Sequence, residues 1–336
     1  MKSYEVQNSF GIDSLQLADR PEPKPDSGHV LLRMKAWSLN FRDLLVIKGQ
    51  YNPRIPLPFV PFSDGVGEVV AIGDNVSQVS VGDRVAGAFM PDWITGPPND
   101  RCGKTALGGG GLGMLSEFVS LPETGVVPVP AHLSDEEAAT LPCAGVTAWH
   151  ALVHSGNIKA GETVLVQGTG GVSLFALQLA NLCGASVILT SSSEEKLERA
   201  GKLGAAHTIN YKSTPDWGKK VRELTGKMGV DHVIEVGGAG TLAQSLTAIR
   251  TGGHVAMIGV LSGGQSELSV LPILMRSVRI QGIYVGSRDM FVAMNRAIDL
   301  HRMKPVIDRV FPFAEVPSAL LHMESGAHFG KVCVTA

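Results

Sequence analysis

The clearest pattern of apolar and polar positions runs over residues 163–211, TVLVQGTGGVSLFALQLANLCGASVILTSSSEEKLERAGKLGAAHTINY. Thr163–Gln167 is an uncharged, β-branched run, as expected of a strand buried on both faces. Glycines follow at once, then an apolar helical spacing to Cys183, a strand over 186–190 and a helix from near Glu194. Beyond it, His207–Asn210, 231–236, 253–258 and 277–285 read as strands, with helices from about Asp216 and Thr241 between them. Six strands alternating with helices predict a doubly wound parallel sheet.

Ahead of this block the chain reads as β-rich. Residues 30–36 and 65–73 are strand-like runs bounded by glycine and proline clusters, and 82–86 starts another after a turn. Residues 91–113 are rich in glycine and proline without periodicity, which suggests a functional flap or a contact surface. Ser134-Asp135-Glu136-Glu137 is a capping box opening a short helix; Pro142 interrupts it, and helical spacing resumes over 144–153. After 285 come a helix (290–303), a strand (308–311), a helix (315–324) and a last strand, Lys331–Thr335. This tail adds no seventh alternating unit, so it is expected to pack back on the first domain. The division predicted is 1–144, 145–284 and a return segment, 285–336.

The physical use of the glycines is close approach. Gly168 permits a tight turn and Gly170 lets the backbone meet a pyrophosphate. The helix opening at Gly171 and Val172, after Thr169, offers N–H groups and partial positive charge. The third glycine of the usual fingerprint is Ser173 here, so the strand before and the helix after carry the assignment. An NAD site needs a carboxylate about 20 residues past the turn, for the ribose 2′-hydroxyl. The chain has Thr190-Ser191-Ser192-Ser193 there, with Lys196 beyond. Hydroxyls and a cation suit a 2′-phosphate, so NADP(H) is the expected cofactor, although Ser193-Glu194-Glu195-Lys196 is equally an ordinary helix start.

Composition narrows the class. With 336 residues, 44% of them hydrophobic, the chain can bury the cores of two domains. A net charge of −2 without a basic stripe argues against nucleic acid or an anionic membrane as partner. The first twenty residues lack an apolar signal core, and no run of 18 apolar residues spans a membrane, so a reduced cytoplasm is the expected location. Cys102, Cys143, Cys183 and Cys333 lie far apart, against a disulfide framework or a thiolate zinc knot.

Several motifs then fall in a specific order: Gly82-Asp83-Arg84-Val85, Leu141-Pro142, Thr147-Ala148-Trp149 and Gly168-Thr169-Gly170-Gly171-Val172. Leu203-Gly204-Ala205, Asn210-Tyr211, Asp231-His232-Val233, Gly252-Gly253 and Gly330-Lys331-Val332 follow. Across nearly the whole chain this series resembles the medium-chain dehydrogenase/reductase superfamily. The resemblance implies an α/β fold, a Rossmann doubly wound parallel sheet inserted into a GroES-like β-rich catalytic domain, with the active site in the cleft. It also implies a homodimer paired through the edge strand near 277–285. Beyond the glycine turn, it implies cofactor contacts at Asn40, Thr147, Ser191, Ser192, Lys196, Tyr211, Val236, Gly237, Ile258, Gly259, Val260 and Lys331.

The departures from that family carry the chemistry. Where its zinc alcohol dehydrogenases hold the catalytic metal with Cys, His and Cys, this chain aligns Asn40, Ser63 and Cys143. An amide, a hydroxyl and one thiol make a poor Zn²⁺ site, and Cys102 stands alone where a four-cysteine structural zinc lobe would lie. No metal is therefore expected. Asn40 and the segment Gly49-Gln50-Tyr51 resemble the zinc-free quinone and enone reductases. The implied reaction is hydride transfer from NADPH to a quinone or an activated alkene, a small electrophilic substrate. Asn40 and Tyr51 would donate hydrogen bonds to the developing oxyanion, and Tyr51 or solvent would return the proton. Asp43 and Asp64 are further catalytic candidates, though more readily read as partners of backbone or an arginine than as proton-transfer groups, and Arg42 could line the cleft or be solvated. A metal-free carbonyl reductase and a non-catalytic NADPH-binding sensor remain alternative readings.

Overall fold

The apolar runs close into three sheets in the computed structural model, which describes residues 1–265 and 267–336. Seven strands come first: β1 (Lys2–Val6), β2 (Leu15–Asp19), β3 (His29–Ser38), β4 (Asp64–Ile72), β5 (Arg84–Gly87), β6 (Phe118–Pro122) and β7 (Val126–Pro128). Six more follow: β8 (Thr163–Gln167), β9 (Ser186–Ser191), β10 (His207–Asn210), β11 (Val230–Glu235), β12 (Ile249–Met257) and β13 (Arg279–Gly282). The chain ends with β14 (Ile307–Pro312) and β15 (Lys331–Thr335). It divides into one unit of Met1–Val146 with Gly286–Ala336 and a second of Thr147–Val285.

The first unit holds the sheet β14-β15-β3-β4-β5-β7, with β6 also on β3, and the small pair β1-β2. Trp37, Leu32, Phe62 and Val334 are among the side chains that fill its core. β15 runs antiparallel to β3, with Cys333 opposite Ser38, so the tail does return to the first unit. Residues 91–113 depart from the expected flap. Trp93 and Leu107 are buried, and Leu107 donates its N–H to the Phe89 carbonyl at 3.0 Å. A helix, Asp100–Lys104, is capped by Asn99. The glycines let this segment lie against neighbouring backbone: a Cβ on Gly113 would stand 1.9 Å from the Val60 carbonyl oxygen. Nor does Pro142 break the chain's helical course, because Leu141–Gly145 form a π-helical turn that absorbs it.

The second unit is a six-stranded parallel sheet in the order β10-β9-β8-β11-β12-β13. The order reverses direction at β8 and β11, which opens a crevice at their carboxyl ends. Leu165, Ile188, Val233 and Val255 are part of its core. The strand expected over 277–285 is only Arg279–Gly282; among the described residues β13 is an edge strand paired with β12 alone.

β11 and β12 set His232 opposite His254, with ring centroids 5.8 Å apart. Burial, then the charges of Arg279, His232 and His150, pull His254 down from 6.5 to about 3. The unfolded chain takes up this proton near 6.5 and the folded protein only near 3. The stability that His254 contributes is therefore complete above about 6.5 and is lost as the pH falls toward 3. Denaturant titrations at about pH 7 and about pH 5 should show His254→Leu losing less stability on acidification than the wild type; equal losses would refute the assignment.

Candidate active site

Three segments meet at Asn40. β3 ends two residues before it, and Ser38 pairs with Asp64 at the start of β4. The helix Phe41–Ile47 begins directly after it. Asp43, in that helix's first turn, accepts the Asn40 backbone N–H at 2.7 Å. Asn40 Nδ2 donates to Ser63 Oγ at 3.4 Å, and Ser63 Oγ donates to Asp64 Oδ1 at 2.7 Å. Asp64 Oδ2 accepts the Cys143 N–H at 3.1 Å. From the far end of the chain, the Leu39 N–H binds the Val332 carbonyl at 3.0 Å and so holds β15 alongside. That contact delivers Lys331, whose Nζ donates to Leu39 O and to Asn40 Oδ1, both at 2.6 Å. Of Asn40, Asp43, Ser63, Asp64 and Lys331, the most exposed is Asn40, at 8%.

The electrostatics follow from that burial. Desolvation pushes the Asp43 carboxyl up to about 7 against the pull of Arg42, and the Asp64 charge adds to the rise. Among the described residues Asp43 Oδ1 has no hydrogen-bond partner, so no donor stabilises a negative charge on that oxygen. Burial also raises Asp64, opposed by the Lys331 charge and by bonds from Asn40 and Ser63. The Cys143 thiol is pushed well up by burial and then by Asp64. The family's zinc does not fit these donors. Cys143 resists becoming a thiolate, the Asn40 oxygen is occupied by an ammonium, and the Ser63 hydroxyl is given to Asp64. Among the described residues no group of three or more His, Cys, Asp or Glu could hold a metal.

Asp43 and Asp64 have no exposed surface. They hold Asn40, Ser63 and Cys143 in place, in keeping with the reading of both as partners of backbone rather than as groups that transfer protons. Tyr51 is different, being 43% exposed. Its backbone N–H binds Leu45 O at 3.0 Å, folding the chain back along the helix. Arg42 lies between two rings, its guanidinium carbon 4.9 Å from the Tyr51 centroid and 4.7 Å from that of Phe89. Arg42 Nη1 also donates to Leu107 O at 2.8 Å. This arginine, two residues after Asn40, thus holds the Tyr51 ring against its guanidinium.

In the second unit the glycine turn has the geometry a pyrophosphate needs. Gly168 has φ +72° and donates its N–H to Thr190 O at 2.7 Å. Among the described residues nothing stands within 4 Å of where a Gly170 Cβ would be, so that face is open. Gly170 has no side chain to cap the helix Gly171–Leu182, which leaves the first-turn N–H groups for an anion. Ser173 donates its hydroxyl to Gln167 O at 2.6 Å, which explains a serine in place of the third glycine.

Other expected contacts divide by exposure. Ser191 is buried and accepts the Ser193 N–H, whereas Ser192, Lys196 and Tyr211 reach the surface. Thr147 is buried, Val236 and Ile258 are half-buried and Val260 is exposed. Gly237 and Gly259 serve packing: a Cβ would stand 2.3 Å from Thr241 Oγ1 in the first and 2.5 Å from Val236 O in the second. Lys331, expected beside the cofactor, is instead buried under Asn40.

The sequence reading missed the pair at the carboxyl ends of β8 and β11. Glu235 is fully buried, and its Oε1 accepts the N–H groups of Gly237 and Gly238 at 2.9 and 3.0 Å and the Thr241 hydroxyl. Its Oε2 accepts Gln167 Nε2 at 2.7 Å and the Ser245 hydroxyl. Gln167 Oε1 receives the N–H groups of Val236 and Gly237 at 3.3 Å. The available signal was a long polar residue closing each of two strands with apolar centres, where the sheet order reverses.

Residues 26–131 match the alcohol dehydrogenase GroES-like domain, and residues 171–299 match the family described as zinc-binding dehydrogenase. A zinc-type alcohol dehydrogenase-like protein of Schizosaccharomyces pombe is 45% identical over 98% of this chain and 97% of its own. An acryloyl-coenzyme A reductase of Metallosphaera sedula is 31% identical over 94% of each chain. The quinone oxidoreductase of Homo sapiens is 28% identical over 95% of this chain and 92% of its own. Among solved structures, an NAD-dependent alcohol dehydrogenase superimposes with a TM-score of 0.91 at 35% identity, covering 100% of both chains. The mycobacterial protein Rv1454c, complexed with NADPH, does so with a TM-score of 0.84 at 29% identity, again over 100% of both.

Proposed function

Because this chain belongs to the medium-chain dehydrogenase/reductase superfamily and is an oxidoreductase, we propose that it reduces activated alkenes or quinones with NADPH and without zinc. One observation carries the reading. Two of the three positions that hold catalytic zinc in metal-dependent relatives, Asn40 and Ser63, are tied here into a chain of hydrogen bonds from Lys331 to Asp64, and Asp64 also accepts the backbone N–H of the third, Cys143. Such a site offers a donor to a conjugated carbonyl, whose growing charge is already delocalised, but not the Lewis acid an alkoxide requires. The names of the acryloyl-coenzyme A reductase and quinone oxidoreductase relatives support it.

A bound NADPH supplies the hydride. Gly168, Gly170 and the first turn after Gly171 hold its pyrophosphate, and Ser192, Lys196 and Tyr211 receive the 2′-phosphate. The Asn40 amide donates to the substrate's carbonyl oxygen, and the Tyr51 phenol, exposed and stacked on Arg42, donates a proton. The test is absorbance loss of NADPH and of NADH against a panel of enones, quinones, aldehydes and alcohols, before and after chelation. Turnover of enones or quinones with NADPH, unchanged by chelator, is expected. Alcohol-dependent reduction of NAD⁺, the chemistry named for one structural neighbour, or activity restored only by added zinc, would replace this reading.

The edge strand β13 is short and largely exposed, and Leu274 and Met275 beside it are 72% and 76% exposed. A second copy of this chain pairing along β13 would cover them. Light scattering at twice the chain mass is the expected result; a monomer would refute the dimer.

No helix among the described residues is long and apolar enough to cross a membrane.

A further inference from the structure

We infer that Lys331 is a positioning residue for the reaction, because it decides which way the Asn40 amide faces. The inference rests on the role proposed above for Asn40. An asparagine amide is nearly symmetric in shape, and only its hydrogen-bond partners distinguish oxygen from nitrogen. A lysine ammonium has donors and no acceptor, so whatever it touches must present an oxygen. Lys331 Nζ is nearly buried, 2.6 Å from Asn40 Oδ1 and 2.6 Å from the Leu39 carbonyl.

With Oδ1 held there, the NH₂ is turned to the opposite side, where one contact is Ser63 Oγ at 3.4 Å. Ser63 gives its own proton to Asp64 and so accepts from Asn40, which makes both ends of the amide agree on one orientation. Without the lysine, Ser63 alone would bias the amide through a long bond, and the flipped form would present an acceptor to a developing oxyanion. The ammonium also polarises the amide it touches, which strengthens the N–H as a donor. β15 places Lys331 by pairing with β3, so the last strand of the chain completes a site whose other residues lie near its beginning.

The experiment measures NADPH-dependent enone reduction in the wild type, Asn40→Ala, Lys331→Met and the double variant, with thermal melts of each. Lys331→Met is expected to lower kcat by about tenfold or more, with KM for NADPH unchanged. Added to Asn40→Ala, it should cause no further loss, since there is no amide left to orient. Lys331→Arg, which keeps a donor-only head, is expected to stay within about threefold of the wild-type kcat and serves should the methionine variant not fold. If Asn40→Ala alone leaves kcat intact, the proposed function fails and this inference with it. If Asn40→Ala is crippled but Lys331→Met multiplies that loss, or a folded Lys331→Arg is as damaged as Asn40→Ala, the function stands and the role of Lys331 is refuted.

Discussion

Glu235→Ala is expected to lower the unfolding free energy by about 3–5 kcal/mol, among the largest losses available to one side chain. The carboxylate receives five donors, two of them backbone N–H groups and three side-chain groups. The Thr241 hydroxyl has a second acceptor in Gly238 O, at 3.3 Å, and the Ser245 hydroxyl can rotate. Among the described residues the Gly238 N–H has no such alternative, and the Gln167 NH₂ loses one of its two acceptors, keeping only the Ser245 hydroxyl at 2.7 Å. One buried backbone donor orphaned at about 1–3 kcal/mol, a second bond lost from the Gln167 amide and the volume removed account for the total. Glu235→Gln should cost roughly half as much, because its oxygen still serves one set of donors while its NH₂ opposes the other. Urea denaturation of the three proteins checks the ranking. A glutamine variant as damaged as the alanine one would mean that shape, not hydrogen bonding, sets the cost. NADPH affinity should fall in parallel, because Gln167 leads directly into the Gly168 turn.

Asn40→Ala should lower kcat for enone reduction by about 10²–10³, the usual cost of losing one preorganised oxyanion donor. KM for NADPH should barely move, since the pyrophosphate cradle lies wholly in the second unit. Tyr51→Phe should cost less, about tenfold, because solvent can return the proton at an exposed position. Stopped-flow measurement of hydride transfer separates these from product release. Wild-type rates in both variants would remove the oxyanion assignment. The alanine change also leaves Lys331 without one acceptor, so the variant's melt must accompany its kinetics.

The parts of this protein legible along the chain were those built from neighbours in sequence. The glycine turn was readable because a strand, a tight turn and a helix start leave their marks within a dozen residues, and Gly168 does adopt φ +72°. The parallel sheet was readable from apolar runs at regular spacing, and the six strands do pair in parallel. Asn40, Ser63 and Cys143 were legible only as departures from a known pattern.

What those three residues do depended on contacts that no local rule encodes. Lys331 reaches Asn40 across 291 positions of chain, and Glu235 reaches Gln167 across 68. A lysine in a final strand and a glutamate after an isoleucine look like surface residues until the strands close over them. Residues 91–113 looked loose for the converse reason, since their anchors are the backbone of Val60 and Phe62, distant in sequence. Local backbone preference selects the elements; burial, which exists only once strands distant in sequence are paired, gives a charged or polar side chain its partner and hence its chemistry.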